Sequence, residues 1–183
     1  MWEIIVFVLS TLLLVFISRA SLLKPRSHGF FRFFAWELMT ALILLNIVVW
    51  FVDPFAWHQI ISWILLIVCI VPLVSGVRAL RSTGRPDKSQ RTEQELLAFE
   101  RTTRLVTDGI YHYIRHPLYS SLFLLTWGVF FKSPSWIGII LAMGATFFLI
   151  ATAKADEREC TQTFGVEYQS YMKQTKMFIP YVF

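Results

Sequence analysis

Five apolar runs follow one another along this chain: Ile4 to Ile17, Phe33 to Val52, Gln59 to Val77, Leu118 to Phe131 and Trp136 to Thr152. A helix needs about 20 predominantly apolar residues, within a range of about 17 to 25, to cross a hydrocarbon core about 30 Å thick. The second, third and fifth runs meet that length. The first is extended by Trp2 and Ser18 at its ends, and the fourth begins inside the polar segment before Leu118 or at a re-entrant point. With 56% hydrophobic and 16% charged residues, the chain is more apolar and less charged than soluble domains, and the same hydrophobicity excludes disorder. No basic residue precedes the first run and no small-residue cleavage site follows Ile17, so it reads as a span rather than a signal peptide. The two cysteines, Cys69 and Cys160, make neither a disulfide scaffold nor a CxxC metal spacing.

The expected fold is all-α, an integral membrane helical bundle with about five transmembrane helices in one multi-pass domain over residues 1–183. Three spans occupy 1–80, a cytosolic segment 81–117, and a helical hairpin with a polar tail 118–183. Lys and Arg favour the cytoplasmic side. The loop after the first run, the segment after the third and the tail hold 16 of the 17 basic residues, and only Lys132 falls opposite. The N-terminus is therefore expected outside and the C-terminus in the cytosol, with Trp50, Trp57 and Trp136 in the outer aromatic belt. This asymmetry accounts for the net charge of +5 without a nucleic-acid partner. The expected partner is the lipid bilayer, of the cytoplasmic membrane in a prokaryote or of the endoplasmic reticulum in a eukaryote.

The outer loops, Asp53 to His58 and Lys132 to Ser135, are minimal, whereas Leu80 to Pro117 is long and polar, which puts chemistry on the inner face. Within that segment Ser82 to Asp87 reads as a turn and Thr92 to Leu105 as a short helix carrying Leu96, Leu97, Ala98 and Phe99. The stretch Leu105-Val106-Thr107-Asp108-Gly109-Ile110-Tyr111-His112-Tyr113-Ile114-Arg115-His116-Pro117-Leu118-Tyr119 sets a turn glycine, three tyrosines, two histidines and an arginine against an apolar span. Polar side chains at that depth are costly and usually have a purpose. Pro117 suits the first turn of the next helix, whose free amides and positive dipole end suit a carboxylate beside Arg115 and His116. Asp156-Glu157, Phe164 to Tyr171 and Phe178-Ile179-Pro180 form a second polar stretch, in which the paired acids suit a cation.

These residues resemble the isoprenylcysteine carboxyl methyltransferases and their phospholipid methyltransferase relatives. The likeness rests on LVTDGIYHYIRHPLY (Leu105 to Tyr119), DE (Asp156, Glu157), FGVEYQSY (Phe164 to Tyr171) and the closing FIP (Phe178 to Pro180), and covers the chain from about Thr103 onward. It implies a small helical membrane bundle with a cytosolic-facing pocket, which takes S-adenosyl-L-methionine from the cytosol and the acceptor from the bilayer. Position by position, the resemblance implies that Thr103, Arg104, Leu105 and Val106 line the cofactor, partly through backbone, with Tyr111, His116, Pro117, Leu118 and Tyr119 as further walls. Asp156 and Glu157 fall on the family's acid pair and would meet the cofactor's amino or ribose groups. Three positions depart from the family pattern: Ser121 replaces a frequent Gly, Asp156 replaces Glu, and Thr152 stands where the carboxyl methyltransferases carry an Arg, with Lys154 nearby.

The residue types agree with that reading. S-adenosylmethionine joins a sulfonium cation to an amino-acid zwitterion, so its pocket needs acids, aromatic faces and a donor for its carboxylate. Asp156, Glu157, Tyr111, Tyr119 and Arg115 supply them. Methyl transfer relies on proximity and desolvation and requires no metal, and no catalytic residue is singled out. His112 and His116 lack a third ligand for a metal, so none is expected. Plainer roles stand beside these: Arg115 as a snorkelling cation, the tyrosines as belt or packing residues, and Asp156 with Glu157 as a solvated helix end. Glu37 and Asn46 suit pairing with neighbouring helices, Gly138 with Ala142 a close helix contact, and Cys69 packing. The expected activity is methyl transfer to a lipophilic carboxylate, amine or thiol. The alternatives are a nicotinamide-dependent membrane reductase and a non-enzymatic transport or assembly subunit. His28 and His58 lie in other loops, and their removal is expected to leave cofactor binding unchanged.

Overall fold

The computed structural model describes residues 2–85 and 100–181. These form six α-helices: α1 (Trp2–Leu22), α2 (His28–Asn46), α3 (Trp57–Val68), α4 (Ile70–Ser82), α5 (Pro117–Phe130) and α6 (Trp136–Gln174). Four segments are long and apolar enough to cross a membrane, with α3 and α4 together making one of them, and α5 is a shorter apolar helix. The all-helical architecture fits an integral multi-pass membrane protein. Its outer surface carries Leu9, Phe16, Ile64, Ile67, Ile140 and Phe147 uncovered, a face suited to lipid tails and untenable in water.

Three of the spans run past the limits set by hydropathy. The first is a full 21-residue helix, so it is no longer marginal. The third reaches Ser82, with a break at Cys69 shortly before Pro72, which has no N–H to return to the preceding turn. Ser121 donates its hydroxyl to the Cys69 carbonyl at 2.8 Å, which gives that hydroxyl a structural purpose at the break. The fifth does not stop at Thr152. Residues 153–164 continue it because Ala, Lys, Glu, Arg and Gln are good helix formers whatever their polarity, and a further helical stretch follows a bend at Gly165.

The polar groups inside the bundle tie helix to helix. Glu37 accepts from Thr11 of α1 at 2.9 Å, and Asn46 donates to the Val129 carbonyl of α5 at 3.2 Å. α2 lies along α6, and Ala142, fully buried, packs with Leu42, Val129 and Phe130. Gly29 is required where α1 meets α2, since a Cβ there would sit 2.2 Å from the Ser21 hydroxyl oxygen. In the inner segment, residues 86–99 lie outside the described residues and with them most of the expected helix from Thr92; Glu100 to Leu105 is turn and extended chain, not helix.

Candidate functional site

α5 and α6 are joined by a short turn in which Ser135 caps α6, its hydroxyl accepting from Gly138 N–H at 3.1 Å. The two helices pack as a hairpin and return the acids of α6 to the start of α5. The last residues then fix that start from the other side. Ile114 pairs with Lys176 in an isolated parallel bridge, Arg115 N–H donates to the Lys176 carbonyl at 2.8 Å, and His116 N–H to that of Met177 at 3.2 Å. Ser120 donates to the Phe178 carbonyl at 2.8 Å, so the closing Phe-Ile-Pro stretch acts as a clasp on the histidine.

Between these elements lies a cavity with about 800 Å³ of empty space, its open mouth included. Of the residues expected from sequence, Leu105, Val106, Tyr111, Arg115, His116, Pro117, Leu118, Tyr119 and Asp156 line it. Thr103, Arg104 and Glu157 do not. Thr103 donates its hydroxyl to the Arg85 carbonyl at 3.0 Å, and Arg104 is exposed. His112 is also exposed, which separates it from His116.

The adjacent acids diverge because neighbouring helical residues point about 100° apart. Asp156 faces the cavity, 3.5 Å from His116 Nδ1, and accepts from the Cys160 thiol at 3.6 Å. Glu157 turns to Arg115, whose Nε donates to it at 2.7 Å. The same guanidinium also donates to the Met172 carbonyl at 3.2 Å and to that of Thr175. Arg115 is thus a clamp on the end of α6, with its Nε and Nη1 donors engaged. His116 is buried and stacked on Tyr119, ring centroids 5.5 Å apart. Burial alone would lower its pKa, but Asp156 and Glu157 outweigh that and hold it above the ordinary histidine value.

The aromatic lining comes from two turns of unusual backbone. Gly109, at φ 62°, opens a short 3-10 helix that buries Tyr111. Gly165, at φ 58° and ψ −131°, bends α6, a conformation suited to glycine. Beyond the bend, Tyr168 and Tyr171 turn back into the cavity with Phe164, and the Tyr171 hydroxyl donates to the Tyr111 carbonyl at 2.6 Å. Burial first and Asp156 second push the Tyr111 hydroxyl well above the usual tyrosine range, so it stays protonated.

Sequence reasoning missed part of the wall. His28, set apart on sequence grounds, lines the cavity at 1% exposure, its Nδ1 2.5 Å from Glu159 and its Nε2 3.8 Å from Glu100. Glu100 also pairs with Arg32 at 2.6 Å. Two signals were available: the charge asymmetry puts the His28 loop at the same end as His116, and Glu159 and Cys160 follow Asp156 at i+3 and i+4, on one helix face.

The comparisons with known proteins meet this region. A phospholipid methyltransferase family model matches residues 57–165, well over half of the chain and most of the cavity wall. A methanethiol S-methyltransferase of Crocosphaera subtropica is 28% identical over 76 residues, 42% of this chain. That stretch is 29% of the relative, so the chain spans well under two thirds of the length of the curated relative it matches. No solved structure matches the chain. By the extent of the model match, the chain belongs to the phospholipid methyltransferase family.

Proposed function

We propose that this protein transfers a methyl group from S-adenosylmethionine to a lipophilic acceptor at the cytosolic edge of the membrane. The observation that carries the reading is one cavity, at the end of the α5–α6 hairpin, that combines a carboxylate free of any arginine with a wall of four tyrosines and a phenylalanine. The donor set fits the cofactor. Asp156 suits an amino or ribose group, the rings of Tyr111, Tyr119, Tyr168, Tyr171 and Phe164 suit a sulfonium, and a carboxylate suits the first amides of α5 at Leu118 and Tyr119. When bound, the cofactor would supply an electrophilic methyl group. The chain's own contribution is to hold, orient and dry the site: His116 sits between its two acids, the clasp at Met177 and Phe178 fixes that ring, and buried tyrosines exclude water.

Membership of the family supports methyl transfer over the reductase reading, and the methanethiol relative makes a thiol one acceptor class beside amines and carboxylates. The concentration of basic residues at the cavity end supports a cytosolic mouth and an outside N-terminus. The test is transfer of a radiolabelled methyl group from S-adenosylmethionine into a native lipid extract, with small thiols and amines as further acceptors. Label in an extractable product is expected. No label in any acceptor, together with NADPH binding, would move the assignment to the reductase.

A further inference from the structure

A second groove lies on the other flank of α6, with about 1280 Å³ of space open to the surface, and shares no lining residue with the first cavity. Ala151, Lys154, Arg158, Thr161, Gln162 and Met172 contribute from α6 and Phe31 from α2. Two cations at this end are engaged internally, Arg32 by Glu100 and Arg115 by Glu157. Lys154 and Arg158 differ: both are exposed, and among the described residues neither has a hydrogen-bond or ion-pair partner. Glu157, in the same groove, is already held by Arg115, so it does not cancel them.

Depth specifies the ligand. α6 starts at the exposed Trp136, and Lys154 lies about 27 Å further along a helix that rises 1.5 Å per residue. That is close to the hydrocarbon thickness of about 30 Å, so with Trp136 at one interface the two cations stand at the level of the opposite headgroups. Along the groove the lining changes from apolar Ala151 through Lys154 and Arg158 to neutral polar Thr161 and Gln162. This is the order of an amphiphile, with acyl chain, phosphate, then polar headgroup. Lys154 and Arg158 are four residues apart, on one helix face, so both ammonium and guanidinium can reach a single phosphate.

We infer that this groove seats an anionic phospholipid, its phosphodiester between Lys154 and Arg158, at a site separate from the cavity proposed for methyl transfer. The full chain in neutral detergent, titrated with phosphatidylglycerol or phosphatidylcholine and read by native mass spectrometry, tests it. Saturable retention of phosphatidylglycerol is expected, about tenfold or more above phosphatidylcholine, together with loss of that preference in the K154Q/R158Q variant. R78Q/R81Q, which removes two exposed cations outside both cavities, is expected to keep it. Equal retention of the two lipids, retention by K154Q/R158Q, or equal loss in R78Q/R81Q would overturn the inference. Displacement of the lipid by inorganic phosphate at the same concentration would overturn the lipid assignment in favour of a free anion.

Discussion

The two ends of the bundle both bury charge, by opposite means. At the end formed by Lys132 and the start of α3, one cation is satisfied by neutral groups. Lys132 is 1% exposed, its ammonium 3.0 Å from Gln59 Oε1 and 3.3 Å from the centre of the Trp63 ring, with Trp50 at 5.3 Å. Gln59 returns its amide to the Val49, Val52 and Lys132 carbonyls. That end is a plug, made of one charge wrapped in rings and amides. At the other end His28, Arg115 and His116 line open space with Glu100, Asp156 and Glu159, and Arg32 and Glu157 pair with them from behind the wall. A buried charge is therefore no mark of a site by itself. Acid–base pairs that border a cavity and leave one carboxylate accessible are what separate the candidate site from the plug.

The largest expected effect lies in the clamp. Arg115→Ala takes from Glu157 its nearer partner, leaving only His116 at 3.4 Å, and frees the carbonyls of Met172 and Thr175, so thermal or denaturant unfolding in detergent should show a loss of about 3 kcal/mol, the low end of the scale for breaking a buried pair. A stability unchanged within error would mean that Arg115 holds nothing. At the plug, Lys132→Met keeps the stem but strips Gln59 Oε1 of its donor, and should cost about 2 kcal/mol while leaving S-adenosylmethionine affinity untouched. Weakened cofactor binding in that variant would erase the distinction between the two ends. The smallest effect is that of pH. His116 has a folded pKa above its unfolded value, so its contribution is full below the unfolded value, near 6.5, and disappears as pH rises through the higher folded value. A His116→Gln variant should flatten the stability profile over that interval, and a profile as steep as that of the parent would remove His116 from the network.

Much of this contrast was legible in the chain. Apolar runs located the spans, and the family resemblance drew Leu105 to Tyr119, Asp156 and the Phe-Ile-Pro close into one site. What hydropathy does not report is helix continuation through polar residues. Ala153, Lys154, Ala155, Glu157, Arg158 and Glu159 are good helix formers, so α6 carries Asp156 and Glu157 in its middle rather than at a frayed end, and their different headings follow only from that continuity. The bend at Gly165, which aims Tyr168 and Tyr171 back at the cavity, is a backbone choice that a lone glycine in sequence does not announce. His28 escaped for a different reason. Its partners, Glu100 and Glu159, come from two other parts of the chain, and a contact across 131 residues has no periodicity to betray it.

The central claim is that the cavity beside Asp156 binds S-adenosylmethionine through that carboxylate. Calorimetric titration of the purified protein with S-adenosylmethionine, run in parallel on the parent, Asp156→Asn and Lys132→Met, tests it most directly. The account predicts saturable binding by the parent and by Lys132→Met, and a loss of roughly 1.5 to 3 kcal/mol, about tenfold or more in Kd, for Asp156→Asn alone. No binding by the parent, or equal affinity in a folded Asp156→Asn protein, would contradict it.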